Sequence, residues 1–330
     1  MNKSIYCNSI LGNDCSWSHD KSASVKPRIS GPTDNDSSVG CECGVSVRVT
    51  CQAIMDEANL STILCVHATD AVMFYTAICC RSDGHIMAIN GGTNRVLIYS
   101  ESGVLLASNF GNRLLNRRFI RPSLITELAN KRVAIFDSSD NKIKKLSWSE
   151  DLVDTFDIGC STDSLSTNSY GHMVLSHHTD KGQSITIRHP DNGAIIRTIL
   201  LPPSNQGVYG PVYACMNGPA VIALDHSACQ LSLITMEGRK EKCYGKRGFV
   251  NGHMDAPTAV CLDWRGQALV TDCHNDRVQR YDLSNGQCQT IIQGVKKPLA
   301  VNFDRSGQLV VMNARSVFIY QYDLIKPMLR

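Results

Sequence analysis

The feature that most constrains the fold of this chain is a four-stranded repeat. Residues 256–282 form one clear copy, and residues 76–107 form a near-copy that opens the ordered part of the chain. A fixed period of this kind is the signature of a repeat architecture. The start of the second strand of the unit recurs at intervals of 40 to 48 residues, which gives six units; these strand starts are Gly84, Lys131, Gly171, Gly218, Gly266 and Gly307.

Each unit consists of short apolar runs bounded by turn residues such as Ser-Gly, Asp-Asn-Gly and Ser-Asn-Gly. This pattern is typical of antiparallel strands joined by hairpins, and the sequence sustains no helical periodicity. Short strands that repeat radially around a channel leave only short edges exposed. The sequence therefore predicts an all-β fold, a six-bladed β-propeller of four-stranded antiparallel blades.

The sixth unit ends before it has supplied an outer strand. It offers apolar runs at 299–303, 308–311 and 317–322, after which the sequence ends. An isolated apolar run at 62–67 precedes the first unit. We expect this N-terminal strand to complete the sixth blade and close the ring, and the alternative is a strand or helix unrelated to the ring.

Composition divides the chain into two parts. Residues 1–55 are rich in Ser, Asn, Asp and Gly, which predicts a disordered leader, and residues 56–330 form the propeller. No apolar segment follows Met1 as in a signal peptide, and no run reaches membrane-spanning length. We therefore expect a soluble, cytoplasmic protein that does not contact a membrane.

Fifteen cysteines raise the question of disulfides or zinc. Most lie within strand-like runs, as Cys79 and Cys215 do, where a free thiol behaves as a small hydrophobic side chain. Without an export signal they should stay reduced. The cluster of Cys41, Cys43 and Cys51 lacks the second ligand pair of a zinc site. We expect neither a metal nor another cofactor.

Three parts of the sequence resemble NHL repeats. They are Asp272 with residues 275–279 in the fifth unit, residues 94–96 in the first unit, and residues 306–322 at the end. The first and fifth units match well, whereas the second to fourth match mainly in spacing. The whole ordered region is similar to the C-terminal propeller of the TRIM-NHL proteins, although the cysteine and histidine patterns of RING and B-box domains are missing.

The resemblance implies a binding domain rather than an enzyme. NHL propellers of this group recognise single-stranded RNA in some members and proteins in others. Any ubiquitin-ligase activity would need a RING domain supplied by a partner.

Propeller topology sorts side chains by face. If the four strands of a blade are called a to d from the channel outward, their directions alternate. The b–c turns and the d–a connections then emerge on one face, here called the first face, and the remaining turns emerge on the second face. The net charge of +3 favours nucleic acid only weakly, but a one-sided distribution can still attract phosphates.

The d–a connections after the first, fourth and fifth units are rich in cations, and aromatic residues lie in or near three connections of this face. Single-stranded RNA is bound by basic side chains that contact its phosphates and by aromatic rings that stack on its bases.

Each ring has the alternative role of capping a blade. We expect Asp272 and Arg277 to hold a turn together rather than to contact a ligand. The predicted RNA contacts are Arg117, Arg118, Arg121, Lys246, Arg247, Lys296 and Lys297 for phosphates, Phe119, Tyr209 and Phe249 for stacking, and Asn116, Asn251, His177 and His274 for base edges.

Our leading hypothesis is a domain that recognises single-stranded RNA on its first face and acts in post-transcriptional regulation. The alternative is a protein-interaction scaffold that serves a ubiquitin-ligase pathway or a translational repressor complex. A propeller hydrolase or lyase is the third class. It would use histidines such as His177, His178, His253 and His274 around a metal, but no convergent set of carboxylates and histidines accompanies them.

Overall fold

The computed structural model of the chain describes residues 39–40, 46–50, 61–68, 74–110, 119–149, 152–179, 182–202, 209–303 and 307–322. These residues form β-strands and their connections, with one 3₁₀ turn at Cys273–Asn275. Among the described residues, no helical segment has the length and apolar character of a membrane span. The predicted all-β class is confirmed.

Three strands precede the first blade: β1 (Val39–Gly40), β2 (Ser46–Thr50) and β3 (Ser61–Ala68). Five blades then follow, each a sheet of four consecutive antiparallel strands. Blade 1 contains β4 (Tyr75–Cys80), β5 (Ile86–Asn90), β6 (Arg95–Tyr99) and β7 (Leu105–Phe110). Blade 2 contains β8 (Pro122–Leu128), β9 (Arg132–Asp137), β10 (Lys142–Ser147) and β11 (Leu152–Asp157).

The same order continues through the next three blades. Blade 3 contains β12 (Ser164–Thr167), β13 (Met173–Thr179), β14 (Gly182–Arg188) and β15 (Ile195–Leu200). Blade 4 contains β16 (Val212–Asn217), β17 (Ala220–Asp225), β18 (Gln230–Ile234) and β19 (Lys240–Tyr244). Blade 5 contains β20 (Pro257–Leu262), β21 (Ala268–Asp272), β22 (Arg277–Tyr281) and β23 (Cys288–Gln293).

Blade 6 joins the two ends of the chain. Its inner strands are β24 (Ala300–Phe303), β25 (Gln308–Met312) and β26 (Ser316–Gln321), and β3 pairs antiparallel with β26, with Val66 opposite Val317. The prediction that the N-terminal run completes this blade is confirmed. Beyond β3, the sheet continues through β2 and β1, so residues 46–50 of the segment assigned to the leader form a strand. The boundary of the leader at residue 55 stays a prediction.

The ring is closed by contacts between the first strands of neighbouring blades. Strand β4 contacts β8, and the series continues through β12, β16, β20 and β24 back to β4. Apolar clusters fill the space between blades, for example Ile86 and Leu97 of blade 1 with Val310 and Ile319 of blade 6. The chain is therefore a six-bladed β-propeller, as the repeat predicted.

The second strands of the blades are more buried than the outermost strands. All five residues of β5 are buried, whereas five of the six residues of β15 are exposed. Cys79 and Cys215 lie in the apolar clusters, as predicted, and burial raises the pKa of each thiol to about 12. Both thiols are protonated at neutral pH, which makes them poor nucleophiles.

On the first face, carboxylates at the ends of b strands hold the incoming d–a connections. Asp137 ends β9 and accepts hydrogen bonds from the backbone N–H groups of Ile120 and Arg121 at 2.9 and 3.0 Å. Asp272 ends β21 and accepts one from the N–H of Asp255 at 2.7 Å. These bonds hold the connections before blades 2 and 5 at the ends of the second strands of those blades.

Candidate binding face

Part of the predicted RNA surface lies outside the described residues, namely Asn116, Arg117 and Arg118. The rest of that connection is described from Phe119 onward. Phe119 is only 7% exposed and belongs to an apolar cluster between blades 1 and 2. Its ring is therefore closed to a stacking base in this structure, whereas Arg121 beside it is exposed.

Two further predicted residues lie outside the three cationic connections, one in blade 3 and one in the connection that follows it. Tyr209 is half-buried in the connection between blades 3 and 4. His177 is 5% exposed in β13, with Nε2 2.9 Å from Thr186 Oγ1 and Nδ1 3.1 Å from the carbonyl oxygen of Ser161. Burial lowers the pKa of His177, so the ring is neutral. Both ring nitrogens are occupied, which gives His177 a structural role.

The remaining predicted residues meet on blade 5. They lie in the connection 245–256 before blade 5, in the connection 294–298 after it, and in the b–c turn 273–276 between them. We call these three segments together the blade-5 surface. It contains Lys246, Arg247, Phe249, Asn251, His274, Lys296 and Lys297.

Arg277 at the start of β22 fixes the longer connection. Its Nη2 donates to the carbonyl oxygens of Val250 and His253 at 3.0 and 2.9 Å, and its Nε donates to Asp272 Oδ2 at 2.7 Å. Both side chains of the Arg277–Asp272 pair are buried. Because the pair binds backbone and not solvent, it supports the turn, in agreement with the sequence analysis.

Further hydrogen bonds hold the same connection in place. Asn275 Nδ2 donates to the carbonyl oxygen of Gly248 at 2.9 Å, and Gln279 bonds both the N–H of Gly252 and the carbonyl of His253. Met254 is fully buried beneath the connection. The connection is therefore held in one conformation over blade 5.

At the outer side of this rigid connection, Phe249 is 80% exposed and Val250 is 47% exposed. Leaving a large apolar side chain in water forgoes about 1.5–3 kcal/mol of burial free energy. Because the backbone on both sides of Phe249 is held by hydrogen bonds, moving the Phe249 backbone toward the core would break them. The chain thus presents a fixed apolar pair to solvent.

Asn251 follows this pair but is occupied within the fold. Its Nδ2 donates to the carbonyl oxygen of Cys288 at 2.7 Å, and its Oδ1 accepts from Thr290 Oγ1 at 3.1 Å. These bonds anchor the Asn251 amide to β23, while the side chain is exposed and its Nδ2 keeps a second donor hydrogen.

Carboxylates accompany most of the cations of the blade-5 surface. Asp255 lies 3.8 Å from Arg247 and 3.3 Å from the ring of His274. Asp276 accepts a hydrogen bond from Lys296 Nζ at 2.7 Å and another from the N–H of Lys297 at 2.8 Å. Partial burial acts to raise the pKa of Asp276, but these bonds outweigh it and hold the pKa below its usual range.

Val250, Asp255 and Asp276 lie on the blade-5 surface but were not among the residues predicted from the sequence. Val250 is adjacent to Phe249, so an apolar pair between cations was visible in the sequence. The pairing of Asp255 and Asp276 with particular cations was not, because it depends on how the two connections meet across the b–c turn.

The described residues include no group of three or more His, Cys, Asp or Glu side chains placed to hold a metal ion. The four histidines predicted as alternatives for such a site lie in two places, His177 and His178 in β13 and His253 and His274 on the blade-5 surface. His177 is buried in β13, His178 bonds Asp163 at 2.7 Å, and His274 pairs with Asp255.

Comparison with known sequences supports an NHL-type propeller. The mouse protein "NHL-repeat-containing protein 4" is 28% identical to this chain over 126 residues, which is 37% of this chain and 90% of the mouse protein. No family model matches the chain. The closer resemblance to TRIM-NHL proteins stays a prediction.

Comparison with solved structures agrees on the fold. Virginiamycin B lyase from Staphylococcus aureus superposes with a TM-score of 0.54 at 12% identity, over 87% of this chain and 96% of the lyase. The WD40 domain of Pan2 from Neurospora crassa superposes with a TM-score of 0.52 at 9% identity, over 83% of this chain and 99% of that domain. At these identities the likeness concerns the propeller alone, which different proteins use for catalysis and for binding.

Proposed function

We propose that this propeller is a protein-interaction module that docks its partner on the blade-5 surface. The observation that carries the proposal is the 80% exposure of Phe249 on a connection whose backbone is held by Arg277 and Asn275. Aromatic and arginine side chains dominate the binding energy of protein interfaces, and a rigid anchor loses little conformational entropy on docking.

The same geometry favours protein over single-stranded RNA. Binding of single-stranded RNA commonly uses several stacking rings along a cationic groove. Of the three predicted rings, Phe119 is buried and Tyr209 is half-buried in the connection between blades 3 and 4, so Phe249 alone is highly exposed. A mixed-charge rim around an apolar centre is the arrangement of a protein interface.

Single-stranded RNA remains the second candidate because Phe249 lies beside the exposed side chains of Lys246 and Arg247. An exposed ring next to cations can stack on a base while the cations contact phosphates. An assay that identifies the molecule bound next to the Phe249 ring distinguishes a protein partner from RNA.

The assay replaces Phe249 with the photoreactive amino acid p-benzoylphenylalanine in the full chain within cells. After irradiation and RNase treatment, adducts are purified under denaturing conditions. We expect protein adducts that survive RNase. The matched control carries the same replacement at Trp264, a 38% exposed aromatic on the second face with its own arginine neighbour, Arg265.

Protein adducts at position 249 and not at position 264 support the proposal. Adducts at position 249 that carry only a ribonucleotide remnant after RNase treatment would replace it with the RNA hypothesis. Equal yields of protein adducts at both positions would contradict a dedicated site on blade 5.

A further inference from the structure

The blade-5 surface also indicates the chemistry of the partner, an inference that rests on the proposed function and deepens it. The side chains of Phe249 and Val250 form its apolar centre. A partner that buries them must itself supply an apolar side chain, because a polar group placed there would lose water without gaining a hydrogen bond.

Cations flank this centre from two connections. Lys246 and Arg247 precede Phe249 in one connection, and Lys296 and Lys297 lie in the other. All four side chains are exposed. The two connections meet across the turn 273–276, because Asn275 bonds Gly248 in the first and Asp276 bonds Lys296 in the second.

The carboxylates of this surface offset only part of its positive charge. Asp255 and Asp276 are its two carboxylates, against four lysine and arginine side chains. The nearby Asp272 is buried and satisfied by Arg277. The surface therefore keeps a positive surplus around an apolar centre, which would repel a basic partner and attract an acidic one.

Backbone geometry fixes one of these cations further. Lys297 has a left-handed conformation with φ of +46° and its N–H is bonded to Asp276 Oδ1. The backbone from which its side chain extends is therefore defined before binding, which lowers the entropy lost on docking.

We infer that the partner segment is an acidic peptide stretch with an aromatic or aliphatic anchor. Its anchor packs on Phe249 and Val250. Its carboxylates face Lys246 and Arg247 on one side and Lys296 and Lys297 on the other.

The test is a display selection of random 12-residue peptides on the immobilised full chain. Three proteins are compared: the unchanged chain, Phe249→Ala, and the double variant Lys246→Glu/Lys297→Glu. We expect the unchanged chain to enrich peptides in which Asp and Glu flank an apolar residue. Phe249→Ala should lose these peptides, and the double variant should bind them roughly tenfold more weakly, since charge reversal replaces two attractive contacts with repulsive ones.

A second measurement does not depend on the variants. The anisotropy of a selected, fluorescently labelled peptide is titrated with the unchanged chain at low and high NaCl concentration. Screening of exposed charges should weaken the binding as salt rises.

The outcomes separate the two proposals. Peptides that require Phe249 but show no acidic excess and no salt dependence would overturn the acidic partner while leaving the docking surface in place. If no enriched peptide requires Phe249, both the partner chemistry and the docking surface are contradicted.

Discussion

At the scale of single residues, Asp272 organises the candidate site without belonging to its surface. This buried carboxylate accepts hydrogen bonds from the N–H of Asp255 and from the side chains of Asn275, Arg277 and Gln279. Three of these four donors also bond, through side-chain atoms, the backbone of the connection that carries Phe249. The position of the exposed ring therefore depends on a residue that solvent does not reach.

Replacement of Asp272 by Ala should strongly destabilise the propeller. It leaves the Arg277 guanidinium buried without a counter-charge, and breaking a buried pair in this way costs about 3–5 kcal/mol. The measurement is the free energy of unfolding from urea titration. Lys296→Ala removes an exposed pair on the same surface and should cost less than about 1 kcal/mol. Equal losses in the two variants would refute the central role of Asp272.

At the residue scale, the sequence predicts that Asp272 and Arg277 form a structural pair. It does not predict that Phe119 is buried and Phe249 exposed. Both rings occupy d–a connections near cations. Phe119 lies three residues before β8 and packs between two blades, whereas Phe249 lies in mid-connection on backbone held away from the core. The difference in burial between the two rings depends on where each connection enters its blade. The residue type alone does not determine this.

At the scale of structural elements, the c–d turns of blades 3 and 4 contact the preceding blade through a glycine. A Cβ added at Gly193 in the turn of blade 3 would lie 2.7 Å from Phe156 Cγ of blade 2. Gly238 similarly approaches the carbonyl oxygen of Leu200. Each turn thus packs against the outer strand of the preceding blade at a distance that only glycine allows.

Gly193→Ala should therefore destabilise the fold more than Gly171→Ala. Both glycines have positive φ values, +69° and +82°, so each alanine suffers backbone strain of about 1–2 kcal/mol. Only at Gly193 must the Phe156 ring also move, because nothing lies within 4 Å of a Cβ at Gly171. Urea unfolding of the two variants isolates the contact between blades, and equal losses would argue against it.

The closing strand β3 can be tested through its backbone. Val66 pairs with Val317 of β26 on one side and with Val49 of β2 on the other, so its N–H faces a strand in either direction. Val66→Pro removes that donor and should lower the unfolding free energy by at least about 1 kcal/mol more than Val66→Ala, which keeps it. Thermal unfolding of both variants provides the comparison. A proline variant as stable as the alanine variant would show that β3 does not hold the ring closed.

At the scale of elements, the sequence predicted the strand β3 but not the strand β2 that pairs with it. The apolar run at 62–67 and the missing outer strand of the last unit together predicted that this run completes the last blade. The strand Ser46–Thr50 carried no such signal, because its alternating pattern follows a polar segment whose composition predicts disorder.

At the scale of the whole molecule, the repeat period was enough to predict the number of blades and their antiparallel order. Alternating strand directions also predicted which loops share a face, because this follows from topology alone. Charge pairing did not follow from topology. The cations of the first face were visible in the sequence, but the ion pairs of Asp255 and Asp276 arise from loops of blade 5 that meet only in the folded ring.

The most direct test of the docking surface is the affinity of the unchanged chain, Phe249→Ala and Trp264→Ala for the protein recovered by crosslinking at position 249. Titration calorimetry after RNase treatment gives the three dissociation constants. We predict that Phe249→Ala weakens binding by about 30-fold or more, as expected for an interface residue whose removal costs about 2 kcal/mol, and that Trp264→Ala leaves it unchanged. Equal affinities of Phe249→Ala and the unchanged chain would contradict the account.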